Sequence, residues 1–371
     1  MGIHLSKLLS ENNVEVYISS RSEHKDEKNI HYLLGNAKQV DFDDVILSKH
    51  PWDCIVDFMV YDTEEFKNRV EKLLSSTKQY IFLSSSRVYI DTDELITETT
   101  PRLLEECNDK SYLQTDEYAL KKAREEDVLF KSSYHNYTII RPYITYGENR
   151  LPLGVWEKET WVKRLMNKKD LVLPKRFLDK YTTLAYGKDV SYCISKMVGN
   201  RDTIGKIFNI TGDKAHKWGE ILAYYLEQVE KLNGYKPKVL LVDRFSTNIR
   251  QIVKRWLLDV LHFRFSFSGS KIECRDYQLI YDREFNRRFD NSHLLSLFPD
   301  LEFFDYQTSL GNCMQVFVSN PKYNYTSWSW EALQDRLTHQ VTSIFLIHGI
   351  KNKLKYIFLR YIVPIRYIVE F

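Results

Sequence analysis

Glycine is scarce in this 371-residue chain, at 13 residues, and proline is low at 9. Collagen-like, low-complexity and linker-dominated architectures are excluded by that alone. The five cysteines (Cys54, Cys107, Cys193, Cys274, Cys313) lie far apart and form no CxxC pair. An odd, dispersed set argues against a disulfide framework and a structural zinc site, and points to a reducing, cytoplasmic compartment. The ten histidines show no metal-ligand spacing, and His216 and His348 read as surface or packing residues. No apolar run reaches the roughly 18 residues a spanning helix needs, and Met1 to Ser10 has no signal-peptide core. No internal repeat is visible.

What is present is a sizeable apolar fraction, 43%, beside 28% charged residues, enough to bury a large core. Tyr (25) and Phe (20) are abundant and scattered. The net charge of +3 hides an asymmetry. Residues 341–371 hold Lys351, Lys353, Lys355, Arg360 and Arg366 against Glu370. Residues 244–265 hold Arg244, Arg250, Lys254, Arg255 and Arg264 against Asp259. The positive charge is local, which bears on partners rather than on fold.

Over the first 210 residues, helix-like and strand-like segments alternate. Leu5, Leu8 and Leu9 share a helical face before a strand at Val14–Ile18. Cys54–Phe58, Tyr80–Leu83, Tyr137–Ile140 and Ile207–Ile210 read as further strands. Glu64–Ser75, Tyr118–Phe130, Val190–Met197 and Trp218–Leu232 read as helices. That alternation predicts an α/β fold with a parallel sheet, whose ligands bind at the carboxyl ends of the strands. Residues 266–340 are aromatic-rich and irregular, and Trp328 and Trp330 alternate like one face of a core strand.

Three signals then occur in order: Ser84-Ser-Ser-Arg-Val-Tyr89 after a strand, Tyr118-Ala-Leu-Lys-Lys122 on a helix, and Arg141-Pro-Tyr-Ile-Thr-Tyr-Gly147 ending the next strand. On a helix, Tyr118 and Lys122 share a face, so an ammonium there favours the ionised phenol. A Tyr-x-x-x-Lys pair is weak alone, and its order and context strengthen it.

With these residues the chain resembles the extended short-chain dehydrogenase/reductase family, in its NAD(P)-dependent sugar-nucleotide epimerase and dehydratase branch. Lys188-Asp-Val190 and Phe208-Asn-Ile-Thr-Gly212 support the likeness, which covers about residues 1–230. The resemblance implies a Rossmann-type parallel sheet with helices on both faces and a smaller α/β substrate domain. It implies Tyr118 as proton donor and acceptor, Lys122 as support for Tyr118 and the cofactor ribose, and Ser85 as the hydroxyl orienting the reacting oxygen. Expected boundaries are a cofactor domain over 1–150, with returning elements near 185–212, a mainly substrate domain over 151–340, and a basic, apolar tail over 341–371.

The family's opening strand and Gly-x-x-Gly-x-x-Gly turn are matched only at their tail, with Gly2 as the third glycine. The expectation is a start codon placed too far downstream, or a truncated chain that binds cofactor weakly. Ser86 and Arg87 replace the acidic pair of the dehydratases, which disfavours dehydration. Ile144 stands where many relatives use Asn. Ser19-Ser-Arg21, with no carboxylate before Glu23, leans towards NADP over NAD, and Asp41-Phe42 resembles the adenine-contacting pair.

Simpler readings stay open beside these. Ser84–Ser86 also suits a strand cap, Arg21 a solvated charge, and Asp41 a turn residue. Ile249, Ile252, Val253, Trp256, Leu257, Val260 and Leu261 form a helical stripe, either packed on the domain or lying at a membrane interface. The tail repeats Leu354, Ile357, Phe358, Tyr361, Ile362 and Ile365 at helical spacing among its cations. It suits peripheral contact with a cytoplasmic membrane face, or packing on the protein or on a second subunit of a homodimer. The expected partner is a nucleotide-sugar substrate and not a nucleic acid. The alternative is a catalytically impaired family member acting as a nucleic-acid-binding or scaffolding protein through its basic patches.

Overall fold

The computed structural model describes residues 1–245, 252–254, 256, 277–367 and 369–370. They form two compact units. The first comprises residues 1–147, 183–215 and 287–309, and the second residues 148–182, 216–286 and 310–371.

The first unit opens with α1 (Gly2–Glu11), β1 (Val16–Ser20), β2 (Ile30–Leu34) and α2 (Val40–Leu47). It continues through β3 (Trp52–Asp57), α3 (Thr63–Lys67), α4 (Val70–Ser75) and β4 (Thr77–Leu83). The short helices α5 (Leu103–Glu106) and α6 (Lys110–Leu113) precede α7 (Tyr118–Lys131) and β5 (Tyr137–Pro142). The strand Ile207–Ile210, β5, β4 and β3 form a four-stranded parallel sheet in that order, with Val56 opposite Ile81 and Ile81 opposite Thr138. A separate parallel ladder joins β1 to β2, with Val16 opposite Ile30. Tyr17 of β1 meets Trp52 of β3 edge to face at 5.2 Å. Among the described residues, β1 pairs only with β2 and β3 only with β4.

Two apolar clusters flank the four-stranded sheet. Leu5 and Leu9 of α1 join Ile81, Ile140, Phe208 and Val190 in one, while Phe66, Val70, Leu74, Tyr80, Phe82 and Leu129 form the other. Strand residues alternate between these clusters because successive side chains of a strand point to opposite faces. Gln79 ties the sheet's start to its surroundings, donating to Thr138 Oγ1 at 3.1 Å and to the Met197 carbonyl at 3.0 Å.

In the second unit, Leu171–Pro174 pairs parallel with Val239–Val242, and Tyr181–Thr182 antiparallel with His216–Lys217. The helix Trp218–Asn233 starts where Glu220 accepts the Lys217 amide at 3.2 Å. It stops at Gly234, whose φ of +68° suits glycine. Trp161 and Tyr225 meet at 4.3 Å, and Phe177 meets Trp218 edge to face at 5.8 Å.

Some expected elements differ. The helix read over Glu64–Ser75 is two helices, α3 and α4, broken at Asn68–Arg69. The first strand runs Val16–Ser20, two residues later than its apolar pattern suggests, because Asn12 and Asn13 still turn the chain after α1. The alternation at Trp328 and Trp330 is not a strand. These residues open the helix Trp328–Leu337, and both are half-buried, Trp330 edge to face on Trp156 at 5.6 Å. Most of the 249–261 stripe lies outside the described residues, as does Cys274. No helix among the described residues is long and apolar enough to cross a membrane.

Candidate functional site

The three expected acid/base residues belong to the first unit, at the carboxyl end of β4 and the head of α7. Ser84, Ser85 and Ser86 leave the sheet as a short turn of 3-10 helix over Ser86–Val88. Ser85 is buried, and its Oγ accepts the Arg87 amide at 3.3 Å. Both readings of this serine, cap and site hydroxyl, thus fall on the same atom. Ser86 donates to the Arg141 carbonyl on β5 at 2.6 Å, which fixes the turn to the neighbouring strand.

Helix α7 begins at Tyr118 because Glu117 precedes it as a capping acid, accepting the Ala119 amide at 2.8 Å. Ala119, Leu120 and Ala123 form its buried side. Tyr118 is half-buried, and the Arg87 guanidinium lies 5.2 Å from its ring centroid. The same guanidinium pairs with Glu117 at 2.6 Å. Arg87 therefore ties the turn holding Ser85 to the head of the helix holding Tyr118. Ser86 thus has its hydroxyl engaged by a backbone carbonyl, and Arg87 sets its guanidinium over the tyrosine ring.

One turn further on, Lys122 is 1% exposed and Glu125 is fully buried, with Nζ and Oε2 2.8 Å apart. The ammonium also lies over the Phe82 ring, at 4.5 Å. Burial raises the Glu125 carboxyl above its ordinary range, against the pull of Lys122. Nearby, Asp57 closes β3 and accepts the hydroxyls of Tyr80 at 2.7 Å and Tyr61 at 3.1 Å. Lys122 is thus held among buried acids and rings, a setting that its spacing to Tyr118 does not announce.

A second buried network supports the same helix. Glu126, fully buried, accepts Arg141 Nε at 2.8 Å and Nη2 at 2.7 Å, Arg102 at 3.0 Å, and the Ser84 hydroxyl. Burial alone would raise this carboxyl, but Arg141 and its hydrogen bonds outweigh it, so its pKa is lowered. Arg141 Nη1 donates to Tyr89 Oη at 2.7 Å, and Tyr89 donates to Asn209 at 2.8 Å. The chain of contacts joins β4, α7, β5 and the strand Ile207–Ile210 beneath the turn.

The residues expected at the cofactor lie elsewhere in the unit. Gly2 opens α1 and is exposed, with nothing within 4 Å of where a Cβ would be, while Met1 before it is held by the Ser191 hydroxyl, which donates to the Met1 carbonyl at 3.0 Å. Arg21 follows β1 and is exposed. Asp41 and Phe42 fall in the first turn of α2. Asp41 is exposed, and the Phe42 ring covers Gly35 so closely that a Cβ there would stand 2.0 Å from it. No described contact links Gly2, Arg21 or Asp41 to Ser85, Tyr118 or Lys122.

Sequence reasoning missed Glu125, the Arg87–Tyr118 stack and the Glu126–Arg141 pair. Glu125 was findable, since a carboxylate three residues after Lys122 shares its helical face. The other two needed the turn and β5 in place.

No family model matches the chain. It is 29% identical over 185 residues to the chloroplast stem-loop binding protein of 41 kDa b of Arabidopsis thaliana. The match covers 49% of this chain and 44% of that protein, less than half of the relative's length. Solved structures share the fold at low identity. The Bordetella bronchiseptica enzyme WbmH in complex with NAD+ aligns with a TM-score of 0.59 and 15% identity, over 86% of this chain and 96% of that one. The Thermus thermophilus UDP-glucose 4-epimerase in complex with NAD gives 0.58 and 13%, over 86% and 96%. The dTDP-glucose 4,6-dehydratase of Bacillus anthracis in complex with NAD gives 0.58 and 13%, over 86% and 93%. The chain has the Rossmann-type α/β fold of these epimerases and dehydratases.

Proposed function

We propose that this chain binds NAD or NADP and works on a carbon of a nucleotide-linked sugar, by C4 epimerisation or by reduction of a keto group. The observation behind this is the grouping of Ser85, Tyr118 and Lys122 around one strand end and one helix head, in a fold otherwise seen with NAD bound. Helix α1, ten residues long and without a side-chain cap, begins at the exposed Gly2, and such an end suits a dinucleotide's pyrophosphate. Gly2 and the backbone of that first turn would hold the phosphates, Arg21 a 2′-phosphate, and Asp41 and Phe42 the adenine end, while Lys122, buried against Glu125 and Phe82, would act from beneath the site rather than on the ribose directly. The cofactor, when bound, supplies hydride acceptance and donation.

The rest is the work of this chain's own residues. Tyr118 exchanges a proton with the sugar oxygen at its Oη. Arg87, over its ring and salt-bridged to Glu117, keeps the ring oriented. Ser85 offers its hydroxyl hydrogen to the reacting oxygen while its Oγ accepts the Arg87 amide. The Lys122 side chain lies one turn below Tyr118, held in place by Glu125. With no carboxylate at Ser86 or Arg87, elimination of water has no base at that position, so epimerisation or reduction is the preferred reading.

The test is Tyr118→Phe against a panel of UDP- and dTDP-sugars with NAD and NADPH. Turnover should fall by roughly 10²–10⁴-fold with the fold intact. Unchanged turnover on the substrate the wild type accepts would refute the assignment.

A second reading has its own observation, the 29% match to a protein named for stem-loop binding. In that case the chain retains a labelled stem-loop RNA in a salt-dependent manner, and Tyr118→Phe leaves that retention unchanged.

A further inference from the structure

We propose that the outer face of residues 341–367 is a docking surface for an anionic lipid bilayer, independently of the active-site reading. The segment is not a loose arm. Tyr356, Leu359 and Val363 are buried, and Tyr356 donates to Asp335 on the helix Trp328–Leu337 at 2.7 Å. Thr342 donates to the same carboxylate at 2.7 Å and accepts Lys169 at 2.6 Å. Arg336 binds the Leu359 carbonyl at 3.0 Å. The buried side corrects the expected stripe, since Tyr356, Leu359 and Val363 face the protein while part of that stripe faces water.

Among the described residues, the opposite side is apolar and exposed. Phe345 is 92% exposed, Ile350 77%, Leu346 66%, Leu354 62%, Tyr361 56% and Ile362 52%. Phe345 and Leu346 lie on a 3-10 turn, Ile344–Leu346, and Gly349 at φ +83° then swings the chain into the helix Ile350–Ile357. This presents a blunt apolar tip followed by an apolar helix side. Lys351, Lys353, Lys355, Arg360 and Arg366 flank it, and no acidic residue occurs between 341 and 367.

That combination selects the occupant. Clustered large apolar side chains fixed on a folded surface mark an interaction site. A second copy docked symmetrically would set these cations against one another without a carboxylate in the segment to meet them. A nucleic acid would match the charge but leave Ile350, Leu354 and Ile362 in water. An anionic bilayer satisfies both, with the apolar tip below the headgroups and the cations among the phosphates.

The experiment uses the full chain with phosphatidylcholine vesicles, with and without phosphatidylglycerol, in co-sedimentation at low and high salt. The protein should pellet with the anionic vesicles at low salt, less so at high salt, and stay in the supernatant with phosphatidylcholine alone. Phe345→Ser with Leu346→Ser should lower partitioning by about tenfold or more. Lys351→Gln and Lys353→Gln should each lower it by about fivefold. Circular dichroism of each variant should match the wild type. Three results would overturn the proposal: no pelleting with anionic vesicles, a dimer that the Phe345/Leu346 variant dissociates, or stem-loop RNA retention lost in the lysine variants with no vesicle binding.

Discussion

Replacing Lys122 by Met, Glu125 by Leu, and both together separates the stability of the buried pair from its part in turnover. Nζ and Oε2 are 2.8 Å apart, with the side chains 1% and 0% exposed. At an effective dielectric of 20 that separation corresponds to about 6 kcal/mol of attraction. Stripping water from two ions costs several kcal/mol each, so the pair as a whole comes out near zero. A lone ion keeps its cost without the attraction. Glu125→Leu, which leaves an ammonium facing Phe82, should lower stability by roughly 3–5 kcal/mol. Lys122→Met should sit at the lower end of that range, because Glu125 can take up a proton. The double variant should lie within about 1–2 kcal/mol of the wild type. Urea unfolding of the four proteins, followed by circular dichroism, yields the coupling energy. If each single change costs under about 1 kcal/mol and the two simply add, the reasoning fails. The double variant should remain inactive despite its recovered stability, since the ammonium beneath Tyr118 is gone.

Two further outcomes are expected. Burial raises the Asp189 carboxyl from 3.8 to about 7, opposed by the Phe304 amide that it accepts at 3.1 Å. The folded state therefore holds this proton more tightly, so the contribution is full below about pH 4 and is lost as pH rises towards 7. Asp189→Asn, which keeps an acceptor for Phe304, should flatten that slope in urea midpoints measured across pH. A slope unchanged by the substitution would place its origin elsewhere. Gly212→Ala should lower the melting temperature, because its Cβ would stand 2.5 Å from the Leu184 carbonyl oxygen, a backbone atom that cannot swing aside. The expected cost is about 1–3 kcal/mol.

Much of the first unit was legible because its strands are short apolar runs with helices between them. Ile207–Ile210 falls where its residues predict, and Tyr118 does begin α7. Glu64–Ser75 misled because Phe66, Val70, Leu73 and Leu74 recur at the spacing of one continuous helical face, and nothing in that pattern marks the break at Asn68–Arg69. Trp328 and Trp330 misled because two alternating tryptophans fit a strand, and the helical continuation Glu331–Leu337 is mostly polar in sequence. Its polar residues Gln334 and Asp335 are buried by partners distant in the chain, Val172 and Arg164. The positions of Ser85 after β4 and of Tyr118 and Lys122 on α7 follow from the sequence pattern. The Arg87 guanidinium over the Tyr118 ring does not, since it depends on the turn after β4 meeting α7.

The separation of the β1–β2 ladder from the four-stranded sheet has a consequence for handling the protein. Strand edges carry rows of N–H and C=O groups that readily adopt another extended segment. Among the described residues, β1 and β3 each have one hydrogen-bonded neighbour, and Tyr17 and Trp52 bridge their starts through rings rather than a ladder. Val16, Cys54 and Val56 are only partly buried beside that line. An extended peptide of alternating apolar residues is the shape that fits there, so this flank of the first unit is the place to look first for strand exchange in concentrated solution. A lysine or proline placed on such an edge is the remedy that natural sheets use.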